Sequence, residues 1–256
     1  MQFTSETTTS GTLPSGVIER TFTLGDITGV LWLPDSRPIG APLLLSGHAG
    51  GMHKKAPGLV ANATQCVATY GFTVAAIDAP GHGDRTRNQQ DQYWADAIHQ
   101  ARSAREPIAP IVIDYSLSVA ERAVPEWQTT LDALQAMPEI GVDTKVGYGG
   151  VTLGVVTGIA LAAADSRIAA LSLGGVFVND SLIDSARKVT VPVECRMPWD
   201  GDEFERDAGI ALFDAFASKE KALHVYSGRD YAIPEHERDN SARFLSRHLV
   251  GQPPTA

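Results

Sequence analysis

Short runs of residues that are apolar without interruption, set between longer segments of helical periodicity, constrain this chain more than any other feature. Leu43-Leu44-Leu45, Thr73-Val74-Ala75-Ala76-Ile77, Val146-Gly147-Tyr148, Ile168–Leu173, Val191–Cys195 and Ala222–Tyr226 are apolar at neighbouring positions. A strand wetted on one side alternates polar and apolar residues, whereas one covered on both sides reads as a continuous apolar run. Helical segments are expected between them at Ala56–Tyr70, Val119–Met137, Gly154–Ala164, Asp207–Ala217 and Pro234–Leu249. Strand and helix in alternation predict an α/β protein with a mostly parallel central sheet and helices on both faces. Ahead of this series, Val17–Thr23 and Ile27–Leu33 flank Gly25-Asp26 and predict an N-terminal β-hairpin. The first dozen residues, rich in Thr and Ser, read as a frayed arm. Residues 84–115 break the rhythm with Gln89, Gln90, Gln92, Tyr93, Trp94 and His99, and are expected to form a lid insertion over the C-terminal edge of the sheet. No repeat or low-complexity linker divides the chain, so residues 1–256 read as a single domain.

Composition narrows the partners. A chain of 256 residues with 43% hydrophobic and 20% charged residues is ordinary for a globular protein, long enough to need no disulfide or metal staple. A net charge of −9 leaves nothing to neutralise phosphates, which argues against nucleic acid and anionic membrane surfaces. Cys66 and Cys195 stand far apart without zinc or CxxC spacing, and read as two small buried hydrophobes in a reducing compartment. Met1-Gln2-Phe3-Thr4-Ser5-Glu6 lacks the basic and apolar regions of a signal peptide, and no apolar run reaches the ~18 residues of a membrane span. The expectation is a cytoplasmic protein acting on a small molecule. Oligomeric state leaves no mark in the sequence.

The chemistry concentrates in Val146-Gly147-Tyr148-Gly149-Gly150-Val151-Thr152-Leu153-Gly154. It follows a predicted strand and opens a predicted helix, and Gly150-x-Thr152-x-Gly154 has the spacing of a strand–sharp turn–helix elbow. Such a turn strains its central residue, presents the hydroxyl at the positive end of a helix, and points the Leu153 N–H where an oxyanion would form.

Here the chain resembles the α/β-hydrolase superfamily, in particular dienelactone hydrolases and small esterases, over nearly its whole length. Leu43–Gly51, containing Gly47-His48-Ala49-Gly50, is similar to that family's oxyanion loop. Ile77-Asp78-Ala79-Pro80-Gly81-His82-Gly83-Asp84-Arg85 resembles its D-x-P-G-H-G turn. Val191-Pro192-Val193 followed by Trp199-Asp200-Gly201-Asp202-Glu203 resembles the strand and loop that carry the catalytic acid, and Gly228-Arg229-Asp230-Tyr231-Ala232-Ile233-Pro234 the loop that carries the histidine. The resemblance implies the α/β-hydrolase fold and a site built from Thr152, Asp200 or Asp202, and Asp230. Ala49 or Gly50 would join Leu153 in the oxyanion hole, and His48, His53, Tyr93, Trp94, Trp199 and Tyr231 would border the substrate.

The departures from the family pattern weigh as much as the match. Thr152 stands where the family has Ser or Cys, Asp230 where it has His, and Gly201 where its Asp would fall. A hydroxyl is a poor nucleophile unless a base takes its proton, and a carboxylate of ordinary pKa near 4 is a weaker base than imidazole by several units. Asp230 in an apolar mouth could have a raised pKa and act as a base; its plain alternative is a surface carboxylate on a dead triad. Of the seven histidines, His48 reads as orienting its loop through a backbone hydrogen bond, and His82 as stabilising its own turn. His53 and Lys54 read equally as surface or site; His99, His224 and His236 read as solvated or packed. Tyr93, Trp94, Trp127 and Trp199 read as packing residues unless some line an apolar cavity. Asp78, His82 and Asp84 could suggest a metal trio, but the Pro80-Gly81 turn accounts for them, and no cofactor or metal is required.

Three functions fit. The first is an enzyme that eliminates, cyclises or isomerises a small carbonyl, ester or lactone substrate, using an oxyanion hole and an Asp base. The second is an esterase, lactonase or thioesterase with Thr152 as nucleophile. The third is a non-catalytic small-ligand-binding protein.

Overall fold

The computed structural model describes residues 1–8, 14, 16–36, 41–201, 203–228 and 233–250. Its strands are β1 (Gln2–Thr8), β2 (Val17–Leu24), β3 (Ile27–Pro34), β4 (Leu43–Gly47), β5 (Thr73–Ile77), β6 (Val146–Gly150), β7 (Ile168–Leu173), β8 (Val193–Pro198) and β9 (Lys221–Tyr226). Its helices are α1 (Pro57–Tyr70), α2 (Gln89–Ala104), α3 (Ala109–Gln135), α4 (Leu153–Ala164), α5 (Asp180–Ala186), α6 (Arg206–Ala215) and α7 (Glu235–Val250). The strands join in one sheet of order β1-β2-β3-β5-β4-β6-β7-β8-β9. Pairing is antiparallel from β1 to β5 and parallel from β5 through β4 to β9.

The apolar runs do what their continuity requires. Leu43 and Leu45 enter the core on one face with Tyr148, Leu171 and Leu173, while Leu44 enters the other with Val74, Ala76 and Ala170. The first face is covered by α3 and α4 through Leu131, Val155 and Ile159; the second by α1 and α7 through Cys66, Val67, Leu245 and Leu249. Both thiols are free, and burial pushes each up to about 12, which leaves neither reactive. Among the described residues, no helix is long and apolar enough to cross a membrane.

Three readings are corrected. The residues expected to fray include β1, which pairs with β2 from Gln2 opposite Thr23 to Thr8 opposite Ile18. Thr and Ser are polar but Thr is β-branched, so such a stretch serves as a half-wetted edge strand. Phe3 closes it edge-on to Phe22, under the Arg20 guanidinium. The third helix starts at Ala109, ten residues before the expected Val119, with a proline in its first turn. β8 begins at Val193 rather than Val191, because Pro192 has no N–H to give the ladder. Residues 84–115 hold α2 and the first turns of α3. Asn88 caps α2 by accepting from the Asp91 N–H, and the buried Asp91 carboxylate is paired at 2.6 Å with Arg122 of α3.

Helix α1 carries the chain from β4 to β5 on one side of the sheet, and α4 carries it from β6 to β7 on the other. The strand order therefore reverses between β4 and β6, where the loops at the C-terminal edge diverge and leave a crevice.

Candidate active site

Thr152 stands in that crevice, one residue beyond Val151, which follows β6. Its backbone is at φ 49°, ψ −108°. For a β-branched residue this is a true outlier that costs roughly 1–3 kcal/mol, and it persists only where the surroundings fix it. A side chain at Gly150 would meet the Gly154 backbone at 2.6 Å, and one at Gly154 the Gly47 carbonyl oxygen at 2.6 Å. β6, α4 and the end of β4 thus close on one another with no room for Cβ atoms. The Thr152 N–H donates to the Gly175 carbonyl at 2.9 Å, and the Gly154 N–H to that of His48 at 3.1 Å.

The side chain is placed as firmly as the backbone. The Gly50 N–H donates to Thr152 Oγ1 at 3.1 Å, so the loop after β4 reaches the hydroxyl directly. Helix α4 begins at Leu153 without a side-chain cap. The Leu153 N–H, first of the helix, has no intrahelical partner and sits at the positive end of its dipole.

The loop after β4 is held by its own side chains. His48 Nδ1 donates to the Ala49 carbonyl at 2.8 Å, and Nε2 accepts from the Ala79 N–H at 3.0 Å, a pattern that only the neutral ring can make. Burial, with help from neighbouring His82 and His53, lowers its pKa to about 4, against the opposing pull of the Ala49 carbonyl and Asp78. Between about pH 6.5 and pH 4 the unfolded chain therefore holds a proton that the folded one refuses, and stability falls as pH falls through that window. The loss from pH 7 to pH 4 is expected to be on the order of 3 kcal/mol. Urea midpoints at pH 7 and pH 4.5 check this; unchanged midpoints, or an NMR titration of His48 near 6.5, would refute it.

The other histidines are engaged elsewhere. His82 bonds through Nδ1 to the Pro80 carbonyl at 3.0 Å and stacks on Tyr115. His53 is exposed, accepts from the Lys55 N–H, and borders a groove with Thr4, Thr21 and Thr28 over the hairpin, whose lining does not include Thr152. Lys54 is buried against Asp78. His224 lies between Glu237, at 3.0 Å, and the fully buried Glu194, at 3.7 Å. His99 and His236 are exposed, and His248 packs on Phe244. Among the described residues no imidazole hydrogen-bonds to Thr152.

A small cavity opens beside Thr152 and Leu153, walled by Val112, Ile113 and Ser116 of α3, Val156 of α4, and Val176, Phe177 and Asn179 after β7. Its volume of about 10 Å³ holds roughly one water molecule. The sequence offered no signal for these residues beyond Asn179-Asp180, a helix-start pattern. Tyr93 is exposed on α2, edge-on to Trp94, and Trp94 packs with Ile98 against Tyr115, Val119 and Leu153. Trp127 lies in the core against Tyr148. Trp199 is exposed beneath the Arg206 guanidinium, 3.8 Å from its ring centre. Asp200 accepts from the Gly228 N–H at 3.2 Å, tying the loop after β8 to the one after β9. Asp202, Asp230 and Tyr231 lie outside the described residues.

No family model matches the chain, and no curated protein matches it. Solved structures do. A cold-adapted esterase from an Arctic intertidal metagenomic library is 26% identical, with a TM-score of 0.71 over 94% of this chain and 98% of its own. A dienelactone hydrolase from Anabaena variabilis is 16% identical, with a TM-score of 0.59 over 91% and 96%. Acetyl xylan esterase 1 from a Thermoanaerobacterium species is 14% identical, with a TM-score of 0.61 over 93% and 86%.

Proposed function

Because the chain is a protein of the α/β-hydrolase superfamily, we propose that it is an enzyme acting on the carbonyl of a small, largely apolar ester, thioester or lactone, with Thr152 as the nucleophile. The observation that carries this reading is the strained backbone of Thr152, with its hydroxyl held by the Gly50 N–H at the start of an uncapped helix. Glycine would occupy the same φ without strain. A threonine at so strained a position supports a role for its hydroxyl. In the reaction, Oγ1 attacks the carbonyl carbon and its proton passes to a carboxylate, for which Asp230 is our candidate from its place before α7. The carbonyl oxygen becomes an oxyanion facing the N–H groups of Leu153 and of Ala49 or Gly50. Collapse expels the alkoxide, which takes the proton, and water then releases the acid by the reverse sequence.

Thr152→Ala is expected to lower turnover of p-nitrophenyl acetate at least 100-fold, while Thr152→Ser, which keeps the hydroxyl and sheds the β-branch, retains it. Mass spectrometry of the quenched reaction should find an acyl adduct on Thr152. A second reading is favoured by the engagement of His48 and His82 in backbone bonds, which leaves neither of these rings free to act as base. In it, Asp230 moves a proton of a substrate whose oxyanion is held in the same hole, in an elimination, cyclisation or isomerisation without an acyl-enzyme. Turnover that survives Thr152→Ala but not Asp230→Asn would replace the first reading with the second. No turnover of any such substrate by the unaltered protein would leave a ligand-binding role.

A further inference from the structure

Asn179 follows β7 and precedes α5, and its two amide atoms have different fates. Oδ1 accepts from the Leu182 N–H at 3.0 Å. A backbone N–H can only donate, so the atom it meets is oxygen, and the orientation of the amide is thereby fixed. That leaves Nδ2, which is buried and has no partner among the described residues. Asn179 borders the cavity beside Thr152, as does the hydroxyl-bearing Ser116, and the rest of the wall is apolar, with Val112, Ile113, Val176 and Phe177 prominent. A buried donor without an acceptor is costly, and an oxygen delivered by a ligand would relieve it. A mostly apolar recess with one or two convergent polar groups is how small-molecule sites set specificity.

We infer that Asn179 is a specificity-determining residue, whose Nδ2 donates a hydrogen bond to an oxygen on the acyl side of the substrate. The acyl groups selected are short chains bearing an ether, hydroxyl or keto oxygen, in preference to alkyl chains of equal length. This inference rests on the acyl-site reading above. The cavity admits about one atom the size of a water oxygen, so it receives the substrate oxygen itself and not the whole acyl chain.

Methoxyacetone and 2-pentanone differ only by an ether oxygen in place of a methylene, and neither carries a leaving group, so both probe the cavity whether or not the protein turns over esters. Their binding to the full chain can be followed by NMR through the Asn179 side-chain amide pair. The protein should bind methoxyacetone at least about 5-fold more tightly, with that amide pair shifting. Asn179→Asp keeps the helix-capping oxygen and replaces the donor; Asn179→Ser keeps a cap and removes it, and serves if the aspartate variant fails to fold. In either variant the affinity ratio should fall towards one. In parallel, p-nitrophenyl methoxyacetate should be favoured over the butyrate, relative to their hydroxide rates, and the variants should lose that preference. Equal affinity for the two ketones, as expected if a bound water satisfies Nδ2, would overturn the inference, as would a preference that persists in both variants. A ketone preference without hydrolysis of any ester would instead overturn the catalytic reading and leave the assignment of Asn179 standing.

Discussion

Removing the Asp78 carboxylate, by Asp78→Ala, is expected to destabilise the fold by about 3–5 kcal/mol, the range for breaking a buried ion pair and leaving its partner charged. Asp78 has no exposed surface and accepts four hydrogen bonds: Thr28 Oγ1 at 2.8 Å, the Lys54 N–H at 2.8 Å, Lys54 Nζ at 2.5 Å and the Asp84 N–H at 3.1 Å. Gly83 makes the wrapping possible, since a Cβ there would collide with the carboxylate. Without Asp78 the Lys54 ammonium, itself buried, keeps only Asp84, and two backbone N–H groups lose their acceptor. Lys54 lies in the loop 48–56 that joins β4 to α1, so the loss should also loosen the oxyanion loop and lower turnover. Asp84→Ala is the control. Its side chain is 75% exposed, and its bond to the same ammonium belongs to the class of surface pairs that contribute about 0–1 kcal/mol. Urea unfolding of both variants decides the matter; equal losses, or less than about 1 kcal/mol for Asp78→Ala, would refute the assignment.

The same pair sets a pH dependence at the extremes. Burial opposes ionisation of Asp78, but the Lys54 N–H and ammonium, the Asp84 N–H and the Thr28 hydroxyl outweigh it and hold its carboxyl below the usual range. Burial likewise opposes the charge on Lys54, and Asp78 and Asp84 outweigh it, raising its pKa. A depressed carboxyl stabilises above its unfolded pKa and loses that contribution as pH falls through the folded value. A raised amine stabilises below its unfolded pKa and loses it as pH rises through the folded value. The pair is therefore at full strength near neutrality, and its acid failure falls below the window governed by His48.

The parts of the molecule that local pattern encodes were legible in the sequence. Leu43–Leu45 and Val74–Ile77 are apolar at every position because both faces of their strands are covered, and that requirement is written into a few consecutive residues. The elbow was legible because close approach of three backbones demands glycine at two fixed offsets from Thr152. Features that depend on partners distant along the chain were not. Lys54 reads equally as surface or site because the carboxylate that buries it lies 24 positions away. Residues 2–8 read as a tail because an edge strand half in water needs no apolar run, only a neighbour to pair with. The cavity gathers residues 112–116, 152–156 and 176–179, three segments whose proximity is set by the sheet order. His53 and His48 stand five positions apart with similar neighbours, yet one ring is enclosed by backbone groups and the other faces a different groove.

Gly154→Ala should be among the most damaging small substitutions at the site. Helix propensity alone favours it, since alanine exceeds glycine by about 1 kcal/mol in a helix interior and less in a first turn. Contact opposes it more strongly. The new Cβ would lie 2.6 Å from the Gly47 carbonyl oxygen and 2.8 Å from its carbon, where a carbon–oxygen contact normally stays beyond about 3.3 Å. These are backbone atoms of β4, anchored on both sides by β5 and β6, so no side-chain rotation relieves the clash. Helix α4 must instead withdraw from the loop after β4, stretching the Gly154 N–H bond to His48 and the Gly50 N–H bond to Thr152. Overpacking of this kind costs about 1–3 kcal/mol. The displacement of catalytic groups it forces, on the order of 1 Å, lowers turnover about 100-fold. Gly58→Ala, in the first turn of α1 with nothing within 4 Å of its Cβ, carries the propensity gain without the contact and should leave stability equal or slightly higher. If Gly154→Ala matched Gly58→Ala in thermal midpoint and turnover, the close packing of elbow against oxyanion loop would not be what positions Thr152.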